Sequence, residues 1–188
     1  YGLDDPNYSI EITEEDGTVT TVSFGDSTGT DYYVTVGDTG VVYTVASSVL
    51  DDFKTELSDL AQLDEYPSIG SGNLKKEVIT ENGTTTTYDS ENEDQEEEIA
   101  AVAGGLGAVS LTTVADYSVE DADLAGYGLD EASRITVEAA YTKDDDEKTM
   151  KMYIGSEDGS GNRYVMLDGS KIVYQISDEV CKNILNQE

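Results

Sequence analysis

The sequence predicts an α+β protein in which antiparallel β-hairpins are covered by helices, built as two related repeat units. The chain opens with Tyr1-Gly2-Leu3-Asp4, and the same tetrapeptide returns at Tyr127-Gly128-Leu129-Asp130. After each copy comes the same series of patterns, alternating apolar runs followed by a helical pattern. Copies of one sequence unit are expected to form the same structural unit.

The two copies agree at four further places. The matched pairs are Ile10-x-Ile12 with Ile135-x-Val137, Phe24-Gly25 with Ile154-Gly155, Tyr33-Val34 with Tyr164-Val165, and Val42-Tyr43 with Val173-Tyr174. These runs alternate between apolar and polar residues, which is the pattern of half-buried antiparallel strands. We therefore predict one topology for residues 1–60 and 127–188.

The first copy is predicted to form two hairpins and a helix. One hairpin turns at Glu15-Asp16-Gly17 and the other between Gly37 and Gly40, both turn signals between alternating runs. Ser47 or Ser48 is placed to cap the helix that follows. The apolar residues of this helix fall on one face, which is expected to lie on the sheet: Val49, Leu50, Phe53, Leu57 and Leu60.

Turn-forming residues predict the domain boundary. Pro67 and Gly70-Ser71-Gly72 indicate a connector at 67–73. The first domain is then 1–66, a hairpin-hairpin-helix copy that we expect to lack its front part. The second is 74–188, with a hairpin, a helix and a strand ahead of its own repeat copy.

The second domain opens with elements that the first copy lacks. Asn82-Gly83 predicts a two-residue hairpin, and Ser90 with Glu93 has the spacing of a capping box that begins a helix at 93–106. Residues 109–117 are predicted to form a strand. The helix is expected to end at its three glycines, Gly104, Gly105 and Gly107.

Composition excludes several classes of function. The formal charge is −31, from 41 acidic and 10 basic residues, which disfavours nucleic acid and anionic lipid as partners. Histidine is absent, so histidine-based nucleophile pairs and imidazole metal sites are excluded. The single cysteine, Cys181, is predicted to be a buried hydrophobe. No apolar run approaches the roughly 20 residues that cross a bilayer.

Few residues suggest a chemical site. Asp144-Asp145-Asp146-Glu147 lies at a predicted hairpin tip and is the weak candidate for binding a divalent metal, although such a run is usually solvated surface. Asp121-x-Asp123 begins like a calcium loop but fails where Ala125 and Ala132 replace oxygen ligands. The matched tyrosines could form a sugar- or peptide-binding face, but packing is favoured. No catalytic residue and no cofactor are predicted.

The repeated tetrapeptide is interpreted as a structural latch. Glycine between two large residues allows a backbone conformation closed to other side chains, so that Tyr127 and Leu129 can both turn inward. Asp130 is expected to accept backbone N–H groups at the start of the hairpin. The alternative is that the tyrosine and the aspartate line a ligand pocket.

This order of motifs resembles the DUF4340 family, a domain of unknown function found in bacterial envelope proteins, some encoded beside gliding-associated or other ABC transporters. The resemblance runs from the acidic segment and tetrapeptide at 121–130 through the strands at 135–155, Tyr164-Val165 and Val173-Tyr174 to the last helix, with its first copy at 1–60. Ala132 stands where the family often has proline. The resemblance implies an extracytoplasmic, non-catalytic envelope protein whose anchor or leader lies outside this chain.

We therefore expect a non-enzymatic binding or scaffolding module of the cell envelope. Its partner is expected to be a protein or another envelope component, such as an ABC-transporter-associated assembly. Two alternatives remain open: a glycan hydrolase that uses paired carboxylates, and a calcium-dependent adhesion module.

Overall fold

The computed structural model describes residues 1–187, which form two compact units divided between Ala61 and Gln62. The boundary lies earlier than the predicted connector at 67–73. Ile69 is buried in the core of the second unit, and Leu63 and Tyr66 pack against the same core. These apolar side chains tie the segment after Ala61 to the second unit despite its turn-forming residues.

The first unit contains a four-stranded antiparallel sheet in the order β1-β2-β3-β4. Both predicted hairpins are present, and Gly17 adopts the positive φ of +85° that the first turn requires. The strands are β1 (Tyr8–Thr13), β2 (Val19–Thr28), β3 (Asp31–Val36) and β4 (Tyr43–Ala46).

The single helix predicted for the first copy is wrong. Two short helices, α1 (Ser47–Asp51) and α2 (Leu57–Leu60), replace it. The residue before α1 is Ala46, whose methyl group cannot accept a hydrogen bond from the helix backbone. Neither Ser47 nor Ser48 caps the helix. Asp51 and Asp52 then place negative charge at the C-terminal end of α1, where the helix dipole opposes it. Of the predicted apolar face only Leu50 is buried.

The second unit contains a seven-stranded antiparallel sheet in the order β6-β5-β8-β9-β10-β11-β7. Asn82 and Gly83 have φ values of +49° and +77°, so the predicted two-residue hairpin is confirmed. The strand predicted at 109–117 is reduced to three residues. The elements are β5 (Leu74–Glu81), β6 (Thr84–Asp89), α3 (Glu96–Gly107), β7 (Val114–Asp116), β8 (Ile135–Lys143), β9 (Asp146–Glu157), β10 (Asn162–Leu167), β11 (Val173–Ser177) and α4 (Asp178–Ile184).

Helix α3 begins differently from the prediction, but it ends at Gly107, the last of the three predicted glycines. A 3₁₀ turn at Glu93–Gln95 precedes it, and the side chain that caps this turn is Asn92, not Ser90. Gly104 and Gly105 lie inside α3, and Gly107 is its last residue. A Cβ on Gly105 would overlap the backbone nitrogen of Ile184, so glycine at this position lets α3 and α4 approach backbone to backbone.

The predicted repeat is confirmed, because β1–β4 and β8–β11 have the same order and pairing. The register corrects one detail. Phe24 pairs with Tyr8, and its counterpart Ile154 pairs with Ile135. Tyr8 therefore corresponds to Ile135, and the sequence match of Ile10 with Ile135 is two residues out. A shift of two leaves every side chain on the same face, so the alternating pattern does not reveal it.

The sheet of the second unit is packed on both faces. Its main core lies between the sheet and helices α3 and α4, and a smaller cluster containing Leu129, Tyr153 and Val173 lies on the opposite face. Cys181 belongs to the main core, as predicted, and burial raises the pKa of its thiol to about 12. In the first unit the core is smaller and centres on Phe24, Val34 and Leu50.

Candidate functional site

The glycine of the latch tetrapeptide has the same backbone φ in both copies. Gly2 and Gly128 both have φ of +65°, in the left-handed region that favours glycine. The ring of Tyr127 meets that of Tyr164 edge-on with centroids 5.0 Å apart. Tyr1 meets Tyr33 in the same way at 4.6 Å. The two copies therefore share a contact from the tetrapeptide to the third strand of the repeat.

Each tetrapeptide lies against a β-bulge. The pairing of β9 with β10 shifts between Arg163 and Val165, and that of β2 with β3 shifts at the equivalent place. A Cβ on Gly155, in the bulge, would overlap the carbonyl oxygen of Tyr127. The hydroxyl of Ser156 donates a 3.0 Å hydrogen bond to that oxygen. In the first copy the backbone N–H of Asp26 donates to the carbonyl of Tyr1 at 2.8 Å.

The remaining latch residues differ between the copies. Leu129 is completely buried, whereas Leu3 is half-buried and Asp4 is exposed. The prediction that the Asp130 side chain accepts backbone N–H groups is wrong. Its carboxylate accepts the hydroxyl of Ser133 at 3.2 Å, and its backbone carbonyl accepts the N–H groups at the start of the hairpin. The backbone makes the turn, so the carboxylate remains free to bond the nearby serine.

The acidic run is divided between a turn and a strand. Asp144 and Asp145 form a tight turn with φ of +54° and +66°, and Asp146 and Glu147 begin β9. Asp146 lies 3.6 Å from the ammonium group of Lys148. Within residues 1–187, no three acidic or cysteine side chains are arranged to hold a metal ion. The four carboxylates of this candidate site do not converge.

The face of the first sheet that bears Leu50 is the largest difference between the two copies. Three of its strand side chains and one side chain that follows α1 are exposed, and we name these four the open face. Their exposed fractions are 41% for Tyr8, 46% for Ile12, 50% for Tyr43 and 57% for Phe53. The equivalent residues of the second unit are Ile135, Ala139, Tyr174 and Ile184. The exposed fraction is 4% for Ile135 and 0% for each of the other three. One pattern of apolar side chains is therefore covered in one unit and open to solvent in the other.

Besides α4, two elements cover this face in the second unit. Helix α3 contributes Val102, Ala103 and Leu106 to the core above the sheet. The segment after Ala61 crosses the sheet at Tyr174, whose hydroxyl donates to the carboxylate of Asp64 at 2.9 Å. The alternating pattern is the same in both copies, so it does not reveal the open face. The signal available in the sequence was that the first domain was predicted to contain no counterpart of the helix at 93–106.

One carboxyl group has a strongly perturbed environment. Glu77 on β5 is fully buried, and neither of its carboxylate oxygens has a hydrogen-bond partner among residues 1–187. Burial raises its pKa to about 8. The hydroxyl of Tyr66 also has no partner there, and burial, followed by the charge of the nearby Glu77, raises the pKa of this phenol. Glu77 does not line the cleft of about 710 Å³ that contains Glu138 and Asp168.

The family model of DUF4340, a domain of unknown function, matches the chain twice, at residues 1–106 and 94–187. The chain belongs to the DUF4340 family. The two matches share residues 94–106, which make up most of α3. No curated protein and no solved structure shows significant similarity to this DUF4340 chain. Its helices, over residues 1–187, include none long and apolar enough to cross a membrane.

Proposed function

We propose that the chain is a non-enzymatic binding or scaffolding module of the bacterial cell envelope that works outside the cytoplasm. The observation that supports a binding role is the open face of the first unit. Apolar side chains that lie together on a surface are typical of protein interaction sites, because covering them removes apolar area from water. The second unit supports this interpretation, since the same positions there are buried against protein.

The proposed partner is a protein or another envelope component, including an ABC-transporter-associated assembly. Nucleic acid is disfavoured because the net charge is −31. The family resemblance is what supports the proposed location outside the cytoplasm, and no cofactor is required for such a role.

A carboxylate-based glycan hydrolase is the first alternative. A general acid of this kind needs a raised pKa and contact with the glycosidic oxygen. Glu77 has the raised pKa but is fully buried and does not line the cleft that contains Glu138 and Asp168. A carboxyl group that a substrate in the cleft does not touch favours the binding role. The second alternative, calcium-dependent adhesion, would give a saturable heat signal in a calorimetric titration of the chain with calcium.

A capture experiment with matched variants tests the binding role. The immobilised chain would be incubated with a bacterial envelope extract, beside a Tyr43→Ser/Phe53→Ser variant and a Val19→Ser control. Val19 is 52% exposed and belongs to the same sheet, but its side chain points to the opposite face. We expect components that are held by the parent chain and the control and lost with the double variant. Equal capture by all three would contradict a binding role for the open face.

A further inference from the structure

We propose that the open face binds an amphipathic helix whose apolar side is flanked by lysine or arginine. This inference rests on the proposed binding function and specifies the chemistry of the partner. Three features support it: the element that covers the equivalent face of the second unit, the charge around the open face, and the position of the one basic residue of the first unit.

The second unit shows what fits this face. Helix α3 packs over the sheet and over α4 by presenting small and aliphatic residues. Its closest approach is at Gly105 against Ile184. The counterpart of Ile184 in the first unit is Phe53, which is exposed beside α1. A helix that presents glycine or alanine to this position and aliphatic residues on either side would reproduce the covering found in the second unit.

The charges around the open face select a basic partner. Residues 1–61 contain thirteen acidic residues and one basic residue, Lys54. Four of the acidic residues lie in the α1–α2 region next to Phe53: Asp51, Asp52, Glu56 and Asp59. These carboxylates would attract an approaching lysine or arginine and would repel an acidic partner.

Lys54 shows how a cation is accommodated there. Its ammonium group lies 5.5 Å from the centre of the Tyr8 ring and 3.2 Å from a carboxylate oxygen of Asp51. Tyr8 belongs to the open face. The Lys54 ammonium group therefore already lies between an aromatic ring and a carboxylate at the edge of the open face. Basic residues on either side of an incoming helix would find similar partners.

A second copy of the chain is disfavoured as the occupant. Each copy has a formal charge of −31, and the acidic residues outnumber the basic ones in both units. Two such molecules repel each other at low ionic strength. We therefore expect the chain to sediment as a monomer in low salt, and a dimer that Phe53→Ser dissociates would overturn the assignment of a basic helix.

The experiment uses three synthetic peptides of about 18 residues, or roughly five helical turns. The first has an alanine, glycine and leucine stripe flanked by lysines. The second has the same composition in an order that removes the stripe, and the third replaces every lysine with glutamate. Binding to the whole chain would be followed by fluorescence anisotropy in about 50 mM salt and mapped by backbone amide NMR shifts.

We expect saturable binding of the striped basic peptide only, with shifts at the open face. Phe53→Ser should weaken it about tenfold, as for a central apolar contact, while Val19→Ser should change it less than about twofold. Stronger salt should also weaken binding. Equal binding of the peptide without the stripe, or no effect of Phe53→Ser, would overturn the helix assignment.

The two proposals can fail separately. If the striped peptide does not bind but envelope components are still captured through Tyr43 and Phe53, the binding role stands and the helix assignment is wrong. If neither the peptide nor any envelope component depends on these two residues, both proposals are wrong.

Discussion

The backbone carbonyl oxygen of Tyr127 lies directly against Gly155, in the space that a Cβ at position 155 would occupy. Tyr1 and Gly25 have the same relationship in the first unit. Residues far apart along the chain are thus joined by a contact that only glycine permits. The recurrence of this contact explains why the tetrapeptide and the bulge glycine occur together in each copy.

Gly155→Ala is therefore expected to destabilise the second unit by about 3 kcal/mol, the upper end of the range for overpacking, because the obstructing atom belongs to the backbone and cannot rotate away. Urea denaturation would measure the change. Gly104→Ala is the matched control, since Gly104 has open space around it in the interior of α3. That substitution should stabilise by about 0.5–1 kcal/mol. A Gly155→Ala protein as stable as the parent would contradict the latch geometry.

Leu129→Ala should cost about 2–5 kcal/mol of unfolding free energy, the usual range for a fully buried leucine. Its side chain packs with Val119, Tyr153, Met166 and Val173 on the face of the sheet opposite α3. Leu60, which is 72% exposed, is the control, and Leu60→Ala should change stability by less than about 0.5 kcal/mol. Equal effects of the two substitutions in a denaturant titration would revive the ligand-pocket interpretation of the tetrapeptide.

Helix capping provides a reciprocal test of the repeat. Ser177 accepts the backbone N–H of Val180 and caps α4, whereas the equivalent residue Ala46 leaves α1 without a side-chain cap. Both residues have extended backbones suited to a cap. Ser177→Ala should destabilise the second unit by about 1 kcal/mol, and Ala46→Ser should stabilise α1 by a similar amount. Amide hydrogen exchange at Leu50 should slow in Ala46→Ser, and unchanged exchange would show that capping does not limit α1.

Glu77 predicts a loss of stability as pH rises. The folded state raises its pKa from 4.5 to about 8, so the folded protein keeps a proton that the unfolded chain releases in between. The contribution of Glu77 to the free energy of unfolding is complete below about pH 4.5. It falls by about 1.4 kcal/mol per pH unit between about pH 4.5 and pH 8 and is constant at higher pH. Glu77→Gln cannot ionise and should lack this slope. The nearby Tyr66, whose pKa is raised by burial, stays neutral throughout the window.

Urea titrations of the parent and Glu77→Gln at about pH 5 and pH 7.5 would measure the difference. Groups other than Glu77 contribute equally to both proteins, so the comparison isolates the one carboxyl group. Parallel pH profiles for the two proteins would show that Glu77 ionises in the folded state as it does in water.

The sequence by itself determined the repeat and its turns. Asn82-Gly83 and Glu15-Asp16-Gly17 specify their hairpins because the backbone conformation of a tight turn depends on the few residues within it. The alternation around Val34 and Val165 likewise defines which residues face the core, since side chains along a strand alternate between its two faces. These are local properties, and they appear in the structure as predicted.

The tertiary structure alone decided the rest, because it depends on contacts between distant residues. The glycines of α3 were predicted to end the helix, which does end at Gly107, but only the structure shows that Gly105 permits the close approach of Ile184, far along the chain. The pattern around Tyr43 and Tyr174 is the same in sequence, yet one is half exposed and the other is buried. The local sequence around a side chain does not reveal whether a distant element packs on it. In this protein, that packing is the difference between the core of the second unit and the open face of the first.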